Sequence, residues 1–320
     1  MMLDHSSFPA CTAHVRRLWR YMRAYAYVAL RIGVFILAMN GALVWNGGAA
    51  AANLPERVTF QSADGMTTLV GYLFKPAAMS TDRVPAVVMM HGRGGAYSTR
   101  AKGVHDASTL SRLHQMWGQL WAQHNYIALL VDGFGPRGYP QGFPAGSYKT
   151  RPAELNEVTI RPLDAYGALA YLRSRPDVVA DRIGLQGWSN GGSTTLAAMA
   201  IGTPGIDSKT SMSGFRAALV FYPGCGLKDR FENGYRAYAP VRIFQGTDDE
   251  EVSPQRCRQL VDKSRSLGGD IEIRFYDRAT HGFDAPTRAR QSVPGNEAAR
   301  TDAVERALRF FAIQLQEKPE

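Results

Sequence analysis

The sequence has few of the features that mark nucleic-acid-binding or membrane-spanning proteins. Beyond residue 52 it contains no dense run of lysine or arginine, no repeat and no low-complexity tract. The net charge of +9 comes partly from residues 1–52, which hold five arginines and one acid. The mild, unclustered charge that remains argues against nucleic acid as a partner. The apolar segment 32–45 is shorter than the roughly 20 residues that span a membrane.

Residues 1–52 have the order of a secretory signal peptide. Basic residues are spread from Arg16 to Arg31, the apolar segment 32–45 follows, and GGAAAAN then offers Ala-x-Ala cleavage sites. We therefore expect residues 1–52 to be a signal peptide and residues 53–320 to form one folded domain. An exported protein, periplasmic or secreted, follows from this. The alternative is a retained N-terminal anchor, and only then would the protein associate with a membrane.

Apolar runs and amphipathic segments alternate through the rest of the chain. Residues 57–61 and 67–74 flank Ala63-Asp64-Gly65, which is a hairpin signal. The apolar run 84–90 is typical of a buried parallel strand. Further strands are predicted at 126–131, 183–188, 217–222, 241–245 and 271–276, and helices at 108–124, 159–174, 193–201, 254–267 and 297–315. This alternation predicts an α/β fold with a mostly parallel, doubly wound sheet and helices on both faces.

A glycine-flanked serine stands where a predicted strand meets a predicted helix. Residues 187–191 read GWSNG, which matches the G-x-S-x-G nucleophile elbow. Gly187 and Gly191 leave room for a sharp turn that raises the Ser189 hydroxyl above the sheet. The helix N-terminus there favours a forming anion. An ordinary strand-to-helix turn is the alternative reading.

A serine nucleophile needs a base, and in elbow-containing folds an acid and then a histidine follow it in the chain. An acidic pair, Asp248 and Asp249, follows the predicted strand 241–245. We favour Asp249, the third residue after Gly246, with Asp248 as the alternative. His281 lies in the loop after the last predicted strand and would move the proton while the acid orients its ring.

An oxyanion hole requires two converging backbone donors. The N–H of Asn190, directly after the serine, is the first candidate. The second is the N–H of Arg93 in the glycine-rich run HGRGG, with Gly94 as a neighbour that could replace it. An ordinary glycine turn is the alternative for that run.

Six motifs, in chain order, resemble exported members of the dienelactone hydrolase family of α/β-hydrolases. They are MHGRGG, VDGFGPRG, GWSNGG, FYPGCG, QGTDDEEVSP and ATHGFDAP. The resemblance covers roughly residues 55–315 and implies an α/β-hydrolase fold with an eight-stranded sheet and a catalytic triad, with no metal and no cofactor. It maps the triad onto Ser189, Asp249 and His281. The enzymes that name the family carry cysteine in the elbow, so serine here favours ordinary esters or lactones over dienelactone.

Two further features concern the pocket and its support. The Gly- and Pro-rich loop 133–157 is expected to roof the pocket, with Phe134 and Arg137 as candidate substrate contacts beside Trp188. Arg93 or Arg137 would select an acidic acyl group, although structural roles for these side chains are equally compatible with the sequence. Cys225 and Cys257 follow two neighbouring predicted strands, and a disulfide between them is permitted in an exported protein. Two buried thiols are the alternative.

The sequence therefore predicts an exported serine carboxylic-ester hydrolase that acts on a small-molecule ester or lactone through an acyl-enzyme. One alternative is a peptidase or amidase, because prolyl-oligopeptidase-like enzymes share the GWSxGG elbow. The other is a non-catalytic scaffold on a hydrolase fold.

Overall fold

An eight-stranded sheet forms the centre of the computed structural model, which describes residues 54–77, 82–203, 213–231 and 233–316. The predicted signal segment lies outside the described residues. The strands are β1 (Glu56–Gln61), β2 (Thr68–Phe74), β3 (Val84–Met90), β4 (Ile127–Asp132), β5 (Val178–Trp188), β6 (Ala218–Phe221), β7 (Val241–Gly246) and β8 (Ile271–Tyr276). Their spatial order is β1-β2-β4-β3-β5-β6-β7-β8. β1 and β2 pair antiparallel, as the hairpin signal predicted, and β3 to β8 run parallel.

Helices cover both faces of this sheet, which confirms the predicted fold class. They are α1 (Arg112–Gln123), α2 (Arg161–Arg173), α3 (Asn190–Met199), α4 (Pro254–Ser266), α5 (Arg288–Gln291) and α6 (Asn296–Phe311). Side chains of α2, α3 and α4 pack on one face, and those of α1 and α6 pack on the other. Within the described ranges, no helix is long and apolar enough to cross a bilayer.

The apolar run of β3 is continuous because both of its faces are buried. Val88 and Met90 belong to the core on the α3 side, whereas Val87 and Met89 belong to the core on the α1 side. Successive strand residues point to opposite faces, so a central strand with helices on both sides needs apolar side chains at every position. β3 begins and ends at the residues that the sequence predicted.

Several helix boundaries differ from the sequence prediction for local reasons. The predicted helix 108–124 divides into a 3-10 turn, Ala107–Thr109, and α1. The hydroxyl of Ser111 accepts a hydrogen bond from the N–H of His114 and so fixes the start of α1. The predicted last helix, 297–315, is α6 followed by a π-helical turn, Ala312–Gln316.

The candidate catalytic residues all follow the carboxyl ends of parallel strands. Arg93 follows β3, Ser189 follows β5, Asp249 follows β7 and His281 follows β8. Because these strand ends lie at one edge of the sheet, the loops that carry the four residues meet there.

Candidate active site

Ser189 occupies a strained backbone position between β5 and α3. Its φ is 53° and its ψ is −117°, a region that residues other than glycine rarely adopt. Its N–H donates to the carbonyl oxygen of Phe221 at 2.9 Å, and its own carbonyl accepts from the N–H of Ser193 at 2.9 Å. These bonds to β6 and to α3 hold the sharp turn in place.

The two glycines of the elbow are required by close backbone contacts. A Cβ on Gly187 would lie 2.2 Å from the carbonyl oxygen of Gly191, and one on Gly191 would lie 2.0 Å from that of Met90. No side chain fits at those distances, so both positions accept only glycine. α3 starts directly after Ser189, three residues before the predicted start. The sequence pointed to a later start because glycine, present at positions 191 and 192, is a poor helix former.

The structure brings together the three residues that the sequence selected. His281 Nε2 lies 2.9 Å from Ser189 Oγ, and His281 Nδ1 lies 2.9 Å from Oδ2 and 3.0 Å from Oδ1 of Asp249. The Asp249 side chain is completely buried and that of His281 is 7% exposed. A continuous hydrogen-bond chain thus runs from a buried carboxylate to a serine hydroxyl, the geometry in which imidazole can take the hydroxyl proton.

The environment of Asp249 distinguishes it from Asp248. The N–H groups of Glu251 and Val252 each donate to Oδ1 of Asp249 at 2.9 Å, and Gln245 Nε2 donates to Oδ2 at 2.8 Å. Asp248 is exposed and accepts a hydrogen bond from the hydroxyl of Thr247. Asp249, the residue that the spacing favoured, is the one that faces His281.

Asp284, a buried side chain that sequence reasoning missed, fixes the tyrosine that packs against His281. The ring of Tyr222 packs 4.7 Å from the His281 imidazole, and its hydroxyl donates to Asp284 at 2.6 Å. Asp284 also accepts from the indole N–H groups of Trp117 and Trp188, at 2.8 and 2.9 Å. Burial raises the pKa of Asp284 above its usual range. The position of Asp284 in HGFDAP, three residues after the histidine, was the available signal.

The loop after β3 lies against the elbow. A Cβ on Gly92 would stand 3.2 Å from the carbonyl oxygen of Trp188 and 3.4 Å from Cβ of Ser189. Arg93 and Asn190 line the same cavity as Ser189. The N–H of Asn190 belongs to the first turn of α3, where N–H groups have no partner within the helix. That the N–H groups of Arg93 and Asn190 receive an oxyanion remains a prediction.

A cavity of about 500 Å³ opens beside Ser189. Besides Ser189, Asn190 and Arg93 it is lined by Ala145, Gly146, Tyr148, Arg151, Glu157, Ser193, Gly224, Cys225, Gly226, Leu227, Glu250, Glu251, Val252, Ser253 and Arg256. Part of the loop 133–157 therefore borders it, as predicted. Sequence reasoning missed the charged lining residues Arg151, Glu157 and Arg256, because two of them lie in the loop 133–157 and the third lies in α4, with no common motif.

The structure does not bring the three predicted substrate contacts to this cavity, and that expectation is corrected. Arg137 binds Asp164 and Asp64 through its guanidinium, at 2.8 and 3.1 Å, and its side chain is 7% exposed. Phe134 is buried against the ring of His91, 4.5 Å away. Trp188 is buried, and its indole N–H is bound by Asp284. All three side chains stabilise the fold around the site.

Cys225 and Cys257 form a disulfide, with Cα atoms 5.0 Å apart. The bond joins the loop after β6 to the first turns of α4. Cys225 also lines the cavity. The predicted pairing is therefore confirmed, and the bond connects a cavity wall to the helix that follows the Asp249 loop.

In the part of the chain that the structure describes, the side chains that could bind a metal ion are not clustered. There, no cluster of three or more His, Cys, Asp or Glu side chains is arranged to hold a metal ion. The expectation of a metal-free and cofactor-free protein stays a prediction.

Solved structures of an esterase share this architecture. The chain matches Thermogutta terrifontis esterase 2 phosphorylated by paraoxon with a TM-score of 0.60 and 20% identity, covering 84% of this chain and 97% of that one. The propionate-bound form of that esterase matches with a TM-score of 0.58 and 20% identity, covering 85% and 99%. At this identity the likeness supports the fold.

Curated relatives of two kinds match in sequence. A probable 2-oxo-3-(5-oxofuran-2-ylidene)propanoate lactonase from Bradyrhizobium sp is 26% identical over 223 residues, or 67% of this chain and 78% of the relative. Dipeptidyl peptidase 8 from Homo sapiens is 31% identical over 257 residues, or 72% of this chain. The chain spans about a quarter of the length of that peptidase and of its counterpart from Mus musculus.

The family assignment rests on most of the chain. The model of the dienelactone hydrolase family matches residues 69–315, a range that contains the elbow, the Asp249 loop and the His281 loop. The chain therefore belongs to the dienelactone hydrolase family, and its eight-stranded, mostly parallel sheet is that of the α/β-hydrolase fold.

Proposed function

We propose that the protein is a serine esterase that hydrolyses a small ester or lactone through an acyl-enzyme. The observation that carries the proposal is the hydrogen-bond chain from Asp249 through His281 to Ser189, at the wall of an open cavity. A serine hydroxyl held at 2.9 Å from an imidazole that is itself bound to a buried carboxylate has the partners that nucleophilic attack requires.

In the proposed mechanism, Ser189 Oγ attacks the ester carbonyl carbon while His281 Nε2 accepts the hydroxyl proton. The negative charge moves to the carbonyl oxygen, which the N–H groups of Asn190 and Arg93 would stabilise. Asp249 stabilises the imidazolium and orients the ring. When the intermediate collapses, the C–O bond to the alcohol breaks and His281 returns the proton to the leaving oxygen. Water then attacks the acyl-enzyme with His281 as the base, which releases the acid and restores Ser189.

The size and the chemistry of the cavity support a small substrate. About 500 Å³ suits a compact ester or lactone better than an extended polymer. The guanidinium of Arg93 is bound by Glu251. The Arg93 side chain therefore does not offer an unpaired positive charge to an acidic acyl group.

Peptide hydrolysis is the second candidate, and the match to dipeptidyl peptidase 8 is what favours it. The matched part of the peptidase is about a quarter of its length, so whole-protein activity does not transfer with the match. A non-catalytic scaffold is the third candidate. The hydrogen bond between Ser189 and His281 argues against it, because a scaffold would not need a strained serine.

Steady-state kinetics on matched esters and amides test the proposal. We expect turnover of short-chain p-nitrophenyl esters, far slower turnover of dipeptidyl p-nitroanilides, and loss of ester turnover by at least about 10³-fold in Ser189→Ala. A circular dichroism spectrum unchanged from the wild type would show that the variant is folded. Turnover of anilides above that of esters would favour the peptidase, and undiminished activity in Ser189→Ala would refute the proposed nucleophile.

We also propose that the protein is exported. Support comes from the signal-like order of residues 1–52 and from the disulfide, a bond typical of oxidising compartments. Expression of the full chain followed by cell fractionation and N-terminal sequencing tests this. A processed protein that starts near Asn53 outside the cytoplasm is expected, whereas an unprocessed cytoplasmic protein would contradict the proposal.

A further inference from the structure

A buried arginine connects the two segments that carry the candidate oxyanion donors. Arg161, the first residue of α2, has no exposed surface. Its Nη1 donates to Oδ1 of Asn190 at 2.6 Å, and its Nη2 donates to the carbonyl oxygen of His91 at 2.9 Å. One rigid guanidinium therefore binds both the residue after the nucleophile and the residue that begins the HGRGG loop.

Arg161 lacks the partner that a buried cation usually has. Among the described residues, no carboxylate lies within 4.0 Å of its guanidinium, and its buried Nε has no hydrogen-bond partner. The nearby carboxylate of Asp164 is bound by Arg137. The ring of Phe134 covers the guanidinium at 4.8 Å. Burial of a cation without a carboxylate partner costs free energy of folding. An apolar side chain of similar size would fill the same space without that cost, so a purely structural role does not explain an arginine here.

The guanidinium nevertheless keeps its charge at neutral pH. Burial lowers the pKa of Arg161 to about 10. The neighbouring imidazole of His91 adds no competing cation, because burial and the charge of Arg161 hold its pKa well below its usual range. His91 Nδ1 lies 2.7 Å from the carbonyl oxygen of Gly92. His91 Nε2 accepts a hydrogen bond from the N–H of Gly133 at 3.3 Å.

We propose that Arg161 is the positioning residue of the oxyanion site, where it fixes the HGRGG loop and Asn190 so that their backbone N–H groups converge on the reacting carbonyl. The guanidinium also contacts Asn190, the residue directly after the nucleophile. Its positive charge is therefore close to the carbonyl oxygen on which negative charge develops in the transition state. The inference rests on the proposed function, since it assumes that Ser189 attacks a carbonyl. Positioning of this kind acts on the transition state more than on the bound substrate, because the oxyanion forms only after attack.

The test compares four single variants, and the double variant of Arg161→Met with Asn190→Ala, in p-nitrophenyl acetate hydrolysis and in thermal unfolding. Arg161→Met removes both hydrogen bonds and the charge, Arg161→Lys keeps the charge without the fork, and Asn190→Ala removes one contact and keeps the backbone N–H. Arg137→Met is the matched control, because Arg137 is a largely buried arginine, with a side chain 7% exposed, that is bound to carboxylates away from the cavity.

We expect kcat to fall by about 10²-fold in Arg161→Met, with KM within about threefold of the wild type. Arg161→Lys should recover part of this loss, and Asn190→Ala should add little to it in the double variant. Arg137→Met should lower the melting temperature with little change in kcat, since a destabilised but folded enzyme keeps its turnover number.

A kcat within about threefold of the wild type in both folded Arg161 variants would overturn the proposal, as would a loss no larger than that in Arg137→Met. If Arg161→Met does not fold, Arg161→Lys and Asn190→Ala decide, and wild-type kcat in both would refute it. Failure of the proposed function would look different, because Ser189→Ala would then keep the activity of the wild type.

Discussion

Glu251 binds the guanidinium of Arg93 through two hydrogen bonds, 2.8 Å from Nε and 2.5 Å from Nη2. The pair ties the loop after β3 to the loop after β7, so the segment with a candidate oxyanion donor is fastened to the segment with Asp249. Oε2 of Glu251 also lies 3.8 Å from Nε2 of His281. An ion pair thus closes one side of the candidate site across two strand ends.

This pair predicts a pH-dependent contribution to stability. The hydrogen bond from Arg93 lowers the pKa of Glu251 below its ordinary value of 4.5. A carboxyl with a lowered folded-state pKa stabilises the protein above its unfolded pKa and loses that contribution as the pH falls through the folded value. We expect Glu251→Gln to cost about 1 kcal/mol at pH 7, since the pair is only partly buried. Melting curves of both proteins from neutral to acid pH should converge, and an offset that persists unchanged in acid would contradict the prediction.

The two neighbouring aspartates offer a matched comparison. Asp249→Asn should lower kcat by about 10³- to 10⁴-fold, because an amide cannot stabilise the imidazolium and favours the wrong ring tautomer. Asp248→Asn should change kcat by less than about twofold, since Asp248 is exposed and does not reach the imidazole. Ester kinetics of the two purified variants check this, and equal losses would remove Asp249 from its proposed role.

The disulfide should contribute strongly to stability. It closes a loop with a sequence separation of 32, for which loop-closure entropy corresponds to about 3–4 kcal/mol. We expect Cys225→Ser with Cys257→Ser to lower the melting temperature by roughly 10 °C, measured by calorimetry. Added reductant should lower the wild type in the same way and leave the double variant unchanged. A reductant effect of equal size on the variant would show that the bond is not its cause.

Asp284 should make stability fall with rising pH. Burial raises its pKa, and a raised folded-state pKa means that the stabilising contribution is complete below the unfolded value and is lost as the pH rises through the folded one. Asp284→Asn keeps an oxygen for the two indole N–H groups and cannot ionise. The melting temperature of the wild type relative to this variant should therefore fall from pH 4 towards neutral pH, and a constant difference would contradict the account.

The architecture and the three central residues followed from the sequence because local rules govern them. The apolar run of β3 needs burial on both faces, and steric contacts at Gly187 and Gly191 force the elbow. The order Ser189, Asp249, His281 then follows from the positions of the strand ends. The spacing after Gly246 favoured Asp249, and Asp249 is the aspartate whose carboxylate lies within hydrogen-bond distance of His281 Nδ1.

The pocket lining did not follow from the sequence, since it depends on distant partners. Arg137 and Arg151 lie in the same Gly- and Pro-rich loop, and nothing local separates them. Arg137 forms ion pairs with Asp64 and Asp164, which are distant from it in the chain, whereas Arg151 borders the cavity. Trp188 is adjacent to the nucleophile, yet its indole is bound by Asp284. Such pairings depend on tertiary contacts between residues far apart in the chain, which local sequence patterns do not indicate.

Covalent trapping of the nucleophile tests the central claim most directly. The protein is treated with a fluorophosphonate, digested, and analysed by mass spectrometry to locate the adduct, with Ser189→Ala and His281→Ala treated in parallel. We predict one adduct per chain on the peptide that contains Ser189, none in Ser189→Ala, and far slower labelling in His281→Ala. An unlabelled Ser189 in protein that hydrolyses esters, or an adduct elsewhere that accounts for the activity, would contradict the account.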